Sequence, residues 1–222
     1  MLIPDQEALL TYLTQMQQIR AGEVRCQLAP PLAARLSDAA IDELLVTGLP
    51  MVQGVSRRIV RSRGSGAVLT AKLRYREGVR MLADWQCAGH TNLVLDYTEY
   101  LGLARACDVA AEAVRLTGDQ VRFDHVYRWL CQHVRYVHTA PGHKGYELLI
   151  GAGGAMLHHQ ANCQGFADAL YLLCGLCGIP CEYRLGRGER KLHVWNAVCL
   201  DGVWQEVDAS RGARQVTATN AP

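Results

Sequence analysis

The sequence predicts an α+β fold, and three features of its second half point there. Phe123, Val126, Tyr127, Leu130 and Val134 fall on one face of a helix that Asp119 would cap. A second helix should start at about Cys163 and stop at Gly178-Ile179-Pro180. From Cys181 to Asp208 the residues alternate as strands around Asp201-Gly202, a two-residue turn signal. Helices feeding an antiparallel sheet make an α+β domain, with a helix N-terminus packed on the sheet. Residues 1–118 read as a helical and hairpin extension, packed on a core formed by residues 119–222.

The extension has its own pattern. Leu9, Tyr12, Leu13 and Met16 share one face of a helix from about Asp5 to Arg20. A helix follows Ser37 with Ile41, Leu44 and Leu45 apolar, and Gly48 and Pro50 end it. Between Gly54 and Met81 short extended runs flank Arg63-Gly64-Ser65-Gly66, the pattern of a hairpin. Helical spacing returns from Asp96 to Arg115. Pro141 to Gly154 reads as loop, with Gly151-Ala152-Gly153-Gly154 a flexible stretch that lacks the context of a phosphate loop. After Cys163, Leu170, Leu173, Cys174 and Cys177 continue an apolar stripe.

Bulk composition narrows the function classes. The 222 residues are 50% apolar with a net charge of +2, an ordinary globular balance that argues neither for nor against a polyanionic partner. No run is long enough to span a membrane, so no membrane partner is expected. The first 25 residues lack a basic start and an uninterrupted apolar block, so a cytoplasmic protein without a secretory signal is the expectation. In that setting nine cysteines read as reduced, mostly buried thiols.

The hairpin at Asp201-Gly202 fixes a register. It sets Leu200 opposite Val203, Cys199 opposite Trp204 and Trp195 opposite Asp208. His193, Trp195, Cys199, Trp204, Glu206 and Asp208 then share one face. His193 and Asp208 stand diagonally, with Cβ atoms about 7–8 Å apart, within reach of an imidazole–carboxylate hydrogen bond. Asn162 is a good N-cap, which puts Cys163 in the first turn of the next helix. Free N–H groups and the helix dipole there favour thiolate, and the Cys163 N–H could donate to an oxyanion. Thiol, imidazole and carboxylate thus occur in chain order as Cys163, His193 and Asp208, the parts of an activated cysteine nucleophile.

The phrases around them resemble the transglutaminase-like superfamily, especially its bacterial members with a papain-type Cys-His-Asp core. The matching residues are Cys163, Gly165, Phe166 and Ala167, then His193, Trp195, Asn196 and Val198, then Gly202, Trp204, Val207 and Asp208. Gly175 to Tyr183 resembles that family's turn after the nucleophile helix, and Phe123 to Tyr136 its opening helix. The resemblance covers about Asp119 to Ala213. It implies Cys163 as nucleophile, His193 as general base and then acid, and Asp208 as the group orienting His193. It also implies attack on the amide of a peptide or protein substrate through an acyl-enzyme, ending in hydrolysis or acyl transfer. Gln160, Gln164 and Tyr146 are candidates for a second oxyanion donor, and Trp195 for the cleft wall. Ala161-Asn162 departs from the small residue and valine that commonly precede the nucleophile.

Other signals compete. A non-catalytic binding module would keep the same fold, and Cys-Gln-Gly-Phe is also similar to NlpC/P60 cell-wall peptidases. Cys174-Gly175-Leu176-Cys177 is a CxxC, with Cys181 and His158-His159 nearby, but it falls at a helix end and lacks a second ligand pair. No acidic loop fits calcium. Neither metal nor cofactor is expected. Arg57, Arg58, Arg61, Arg63, Lys72, Arg74, Arg76 and Arg80 make the first hairpin basic, with Lys72, Arg74 and Arg76 on one face. Without interleaved aromatics, a solvated face is favoured over a nucleic-acid partner.

Overall fold

The computed structural model of the 222-residue chain describes residues 1–62, 64–87, 94–187 and 192–219. Arg63, in the turn of the predicted first hairpin, lies outside the described residues. The chain divides into two compact units, Met1–Tyr75 and Arg76–Pro222. That division lies well upstream of the expected boundary at residue 118, because the helices before Asp119 pack into the core of the second unit.

The first unit holds β1 (Leu2–Ile3), α1 (Gln6–Gln18), β2 (Glu23–Leu28), α2 (Pro30–Arg35), α3 (Asp38–Gly48), β3 (Val52–Ser62) and β4 (Gly66–Tyr75). Asp5 and Ser37 cap α1 and α3 with side-chain hydrogen bonds, as their positions predict. The strands form one sheet in the order β1-β2-β4-β3. The predicted hairpin is β3–β4, with Ser62 paired to Gly66. The extended pattern ends at Tyr75, short of Met81. Leu9, Leu13, Val24, Leu28, Ile41 and Leu69 fill this unit's interior.

The second unit holds α4 (Glu77–Gln86), α5 (Tyr97–Ala113), α6 (Asp119–His133), β5 (Arg135–Tyr136), α7 (Tyr146–Leu149) and α8 (Ala152–His158). It continues with β6 (Gln160–Ala161), α9 (Cys163–Leu176), β7 (Cys181–Arg187), β8 (Leu192–Leu200), β9 (Val203–Val207) and α10 (Ala209–Thr219). One apolar cluster takes Met81 and Leu82 from α4, Leu103 and Ala106 from α5, Val126 and Leu130 from α6, Phe166, Leu170 and Leu173 from α9, and Val198 from β8. Burying each such Leu or Phe contributes about 1.5–3 kcal/mol. That is why α4 and α5 belong to this unit.

Three local expectations change. Asp119 does not cap α6; Gly118 holds the N-cap position at φ 91°, and Asp119 sits in the first turn. Gly151–Gly154 is not a flexible loop but the buried start of α8. Its glycines make room for close neighbours: a Cβ on Gly154 would collide with the Leu148 carbonyl, and one on Gly151 with the Glu77 carboxylate. Arg76 leaves the basic strand face and is buried, its guanidinium 5.0 Å from the Tyr183 ring centre. On the opposite face of that hairpin Arg57 pairs with Asp42 and Asp38, and Arg61 with Asp38.

Helix α9 ends as its sequence predicts. Gly178 adopts φ 72°, the Ile179 N–H reaches the Cys174 carbonyl at 2.9 Å, and the Gly178 N–H reaches that of Gly175 at 3.2 Å. The β7-β8-β9 sheet is antiparallel throughout. At its hairpin, Asp201 and Gly202 take φ of 50° and 84°, and Leu200 pairs with Val203 and Cys199 with Trp204, the predicted register.

Candidate active site

Cys163 opens α9 because Asn162 caps it. The Asn162 Oδ1 accepts from the N–H groups of Gln164 at 2.9 Å and Gly165 at 3.3 Å. The Asn162 N–H donates to the Leu149 carbonyl at 2.9 Å, which holds the turn in place. Gly165 is needed because a Cβ there would strike the same Leu149 carbonyl. Among the described residues the Cys163 N–H has no hydrogen-bond acceptor. It therefore remains available at the positive end of a 14-residue helix.

The predicted diagonal between β8 and the end of β9 is realised. His193 Nε2 lies 2.8 Å from Asp208 Oδ2, so Nε2–H donates and Nδ1 is left as a proton acceptor. Asp208 also receives the Ser210 hydroxyl on Oδ1 at 2.6 Å and the Arg211 N–H on Oδ1 at 3.2 Å, and forms an ion pair with Arg211, whose Nε lies 3.1 Å from Oδ2. Burial alone would push this carboxyl up. The hydrogen bonds from Ser210 and His193, with the His193 charge, outweigh burial and hold it below the usual value. Asp208 is thus an ionised acceptor.

Trp195 flanks the imidazole. The two rings are 5.6 Å apart and nearly parallel, and Trp195 Nε1 donates to Glu206 Oε2 at 2.9 Å. Gly186 on the neighbouring strand gives the indole its space, since a Cβ would meet the ring. Asn196, on the opposite face of β8, is buried and donates to the Ala167 carbonyl of α9 at 3.1 Å. This bond ties the histidine strand to the helix one turn beyond Cys163.

Tyr136 connects the parts. Its strand pairs in parallel with β6, placing Tyr136 opposite Ala161, and its ring stacks on Phe166 with centres 6.4 Å apart. These two neighbours bracket Cys163. Burial raises the Tyr136 phenol, the Cys163 charge raises it further, Arg214 opposes, and Asp208 adds a smaller upward push. Tyr136 therefore feels the charge of both the cysteine and the carboxylate that holds His193. Sequence reasoning had placed Tyr136 only at the end of an opening helix. Its pairing with β6 depends on residues about 25 positions away, which no local pattern reveals.

Of the other candidates, Gln164 turns its side-chain amide to the Tyr146 hydroxyl at 3.2 Å, and Gln160 on β6 pairs with Arg135 on β5. The CxxC is core: Cys174 and Cys177 are buried, and the Cys174 thiol is raised by its hydrogen bond with Cys181 and by burial. Burial lifts Cys177 to about 11. Reactive thiols need the opposite shift.

A buried carboxylate frames α9 from behind. Asp168 accepts from the Gly78 N–H at 2.9 Å, the Ala152 N–H at 3.1 Å and the Tyr183 hydroxyl at 2.6 Å, joining α4, α8 and β7 to α9. Glu77 accepts from the Gly153 N–H at 3.0 Å. Burial and the nearby Asp168 charge raise Glu77 to about 7. Sequence reasoning missed both acids, whose bonds cross 90 residues of chain at Asp168–Gly78 and 76 at Glu77–Gly153.

Residues 103–209 match the model of the Transglutaminase-like superfamily. The resemblance carried by the three motifs therefore holds, and this part of the chain is transglutaminase-like. Two curated relatives each match a little under half of the chain. Kyphoscoliosis peptidase of Mus musculus is 28% identical over 116 residues, 46% of this chain and 17% of its own length. That of Homo sapiens is 29% identical over 108 residues, 43% of this chain and 16% of its own length. The aligned region thus spans about a sixth of those relatives. Among solved structures, the periplasmic domain of TgpA from Pseudomonas aeruginosa aligns at a TM-score of 0.42 with 17% identity, over 70% of this chain and 58% of that one. No helix among the described residues is long and apolar enough to cross a membrane.

Proposed function

We propose that the protein is a cysteine enzyme that attacks an amide or peptide carbonyl through an acyl-enzyme. The observation that carries this reading is the 2.8 Å bond from His193 Nε2 to the ionised Asp208, with Cys163 at the capped start of α9. In the first step His193 Nδ1 takes the thiol proton and Cys163 Sγ adds to the carbonyl carbon. The oxyanion receives the Cys163 N–H. The Tyr136 hydroxyl, without a hydrogen bond among the described residues, is the neighbour best placed to add a second donor. The C–N bond then breaks, His193 returns its proton to the leaving amine, and a thioester remains on Cys163. Water or a second amine, deprotonated by His193, releases the acyl group. The peptidase name borne by the two relatives supports hydrolysis as the second half-reaction.

The test is the pH dependence of iodoacetamide alkylation at each cysteine, followed by peptide mass spectrometry in wild type and His193→Ala. Selective reaction of Cys163 well below pH 8, lost in the variant, is expected. Reaction no faster than at the other eight cysteines would overturn the proposal.

A further inference from the structure

Helix α10 starts at the candidate site's own carboxylate, so its first turns deliver side chains to the site's edge. Two of them are arginines one turn apart. Arg211 approaches Asp208 through Nε at 3.1 Å, while its side chain stays 71% exposed, leaving its terminal nitrogens to solvent. Arg214 donates from Nε to the Ser210 carbonyl at 3.1 Å, and its guanidinium carbon lies 4.6 Å from the centre of the Tyr136 ring. Tyr136 in turn borders Cys163 through Ala161 and Phe166. Arg214 has no carboxylate partner among the described residues. A cation is thus fixed on the aromatic that adjoins the nucleophile.

The charges around it give the site a direction. Asp208 is already saturated by His193, Ser210 and Arg211. On the other side of His193 the exposed Glu206 accepts from Trp195. The site therefore runs from acidic at Trp195 to basic at α10. A guanidinium stacked on a ring and anchored through Nε is pre-oriented, so it loses little further freedom when its terminal nitrogens take a carboxylate.

We propose that the α10 edge, Arg214 with Arg211, selects acyl donors that carry a carboxylate within one residue of the scissile amide. This rests on Cys163 being the nucleophile. An acidic side chain and a free chain terminus both supply that carboxylate; the chemistry recognised is the same.

The experiment compares alkylation of Cys163 by anionic iodoacetate and by neutral iodoacetamide in the full chain at low salt. The rate ratio in N-acetylcysteine serves as reference. The wild-type ratio should exceed the reference by at least about threefold, an effect that added salt reduces. Arg214→Gln combined with Arg211→Gln should return the ratio to the reference. Arg214→Lys should keep part of the preference, and Arg115→Gln, a distant exposed position, should keep all of it. Because the ratio is internal to each variant, a general loss of reactivity does not imitate the effect. A wild-type ratio equal to the reference, or one indifferent to the double substitution, overturns the proposal while fast iodoacetamide labelling leaves the nucleophile standing. Slow labelling by both reagents overturns the nucleophile and this inference together. Two isomers then separate the sources as protectants against iodoacetamide. N-acetylisoglutamine carries only a side-chain carboxylate, and N-acetylglutamine only a terminal one. Protection by either, lost in the double variant, supports the proposal and names the source; protection by neither counts against it.

Discussion

At Asp208 three hydrogen-bond donors meet one carboxylate, and two kinds of work meet with them. The side chain orients His193 and also caps α10, whose Arg211 N–H it accepts. Asparagine caps a helix about as well as aspartate but cannot hold an imidazolium by charge. Asp208→Asn should therefore cut turnover roughly 10²–10⁴-fold with little change in melting temperature, whereas Asp208→Ala should also lose about 1 kcal/mol of stability. Thermal unfolding beside Cys163 alkylation rates separates the two effects. Cys163→Ala should abolish alkylation-sensitive turnover with stability almost intact, since Cys163 is only half-buried. The pairing of His193 with Asp208 was legible from a turn and an alternation alone, because a two-residue hairpin transmits register without tertiary help. The place of Tyr136 was not, for it depends on a short parallel pairing between distant segments.

Among the elements, α9 is the one on which the site stands, and its two ends were both readable. Asn162 and Gly178-Ile179-Pro180 are local signals, and they act locally. Asn162→Ala should cost about 1 kcal/mol and, by freeing the first turn, slow Cys163 alkylation as well; unchanged alkylation would show that the cap does not order the nucleophile. The flanking elements were harder to read. Glu23-Val24-Arg25-Cys26-Gln27-Leu28 alternates in burial as β2 does, yet six residues between two helices leave little pattern to find. Helix α4 follows β4 after a single residue, so the change of period from two to 3.6 falls in the middle of a charged stretch. Its Glu77 carries a pH consequence. With its folded value raised to about 7, the folded state keeps a proton that the unfolded chain has released. Stability is then full below the ordinary carboxylate range and declines as pH rises toward 7. Glu77→Gln should remove that decline, a difference on the order of 3 kcal/mol at pH 8 relative to pH 4 in denaturant titrations. An unaltered slope would mean that Glu77 is not the group responsible.

For the molecule as a whole, the division at Tyr75 and Arg76 makes a prediction that the expected boundary at 118 does not. Residues 76–222 expressed alone should unfold cooperatively and keep a selectively reactive Cys163. Residues 119–222 should not, because they lack Met81, Leu82, Leu103 and Ala106 from the apolar cluster beneath α9. Calorimetry of the two fragments decides between the boundaries. The α+β class was legible because strand alternation and helical stripes are local. The boundary was not, because the composition of α4 and α5 says nothing about which neighbour they bury against. Asp208, finally, sits where a strand becomes a helix, and a single anion there joins two equilibria. Whatever changes its hold on His193 must also change the fraying of α10, by the reciprocity that binds any two processes sharing one group. Acylation of Cys163, or its blockade by an alkylating reagent, should then be audible in hydrogen exchange at the first turns of α10, a segment that carries none of the reacting atoms.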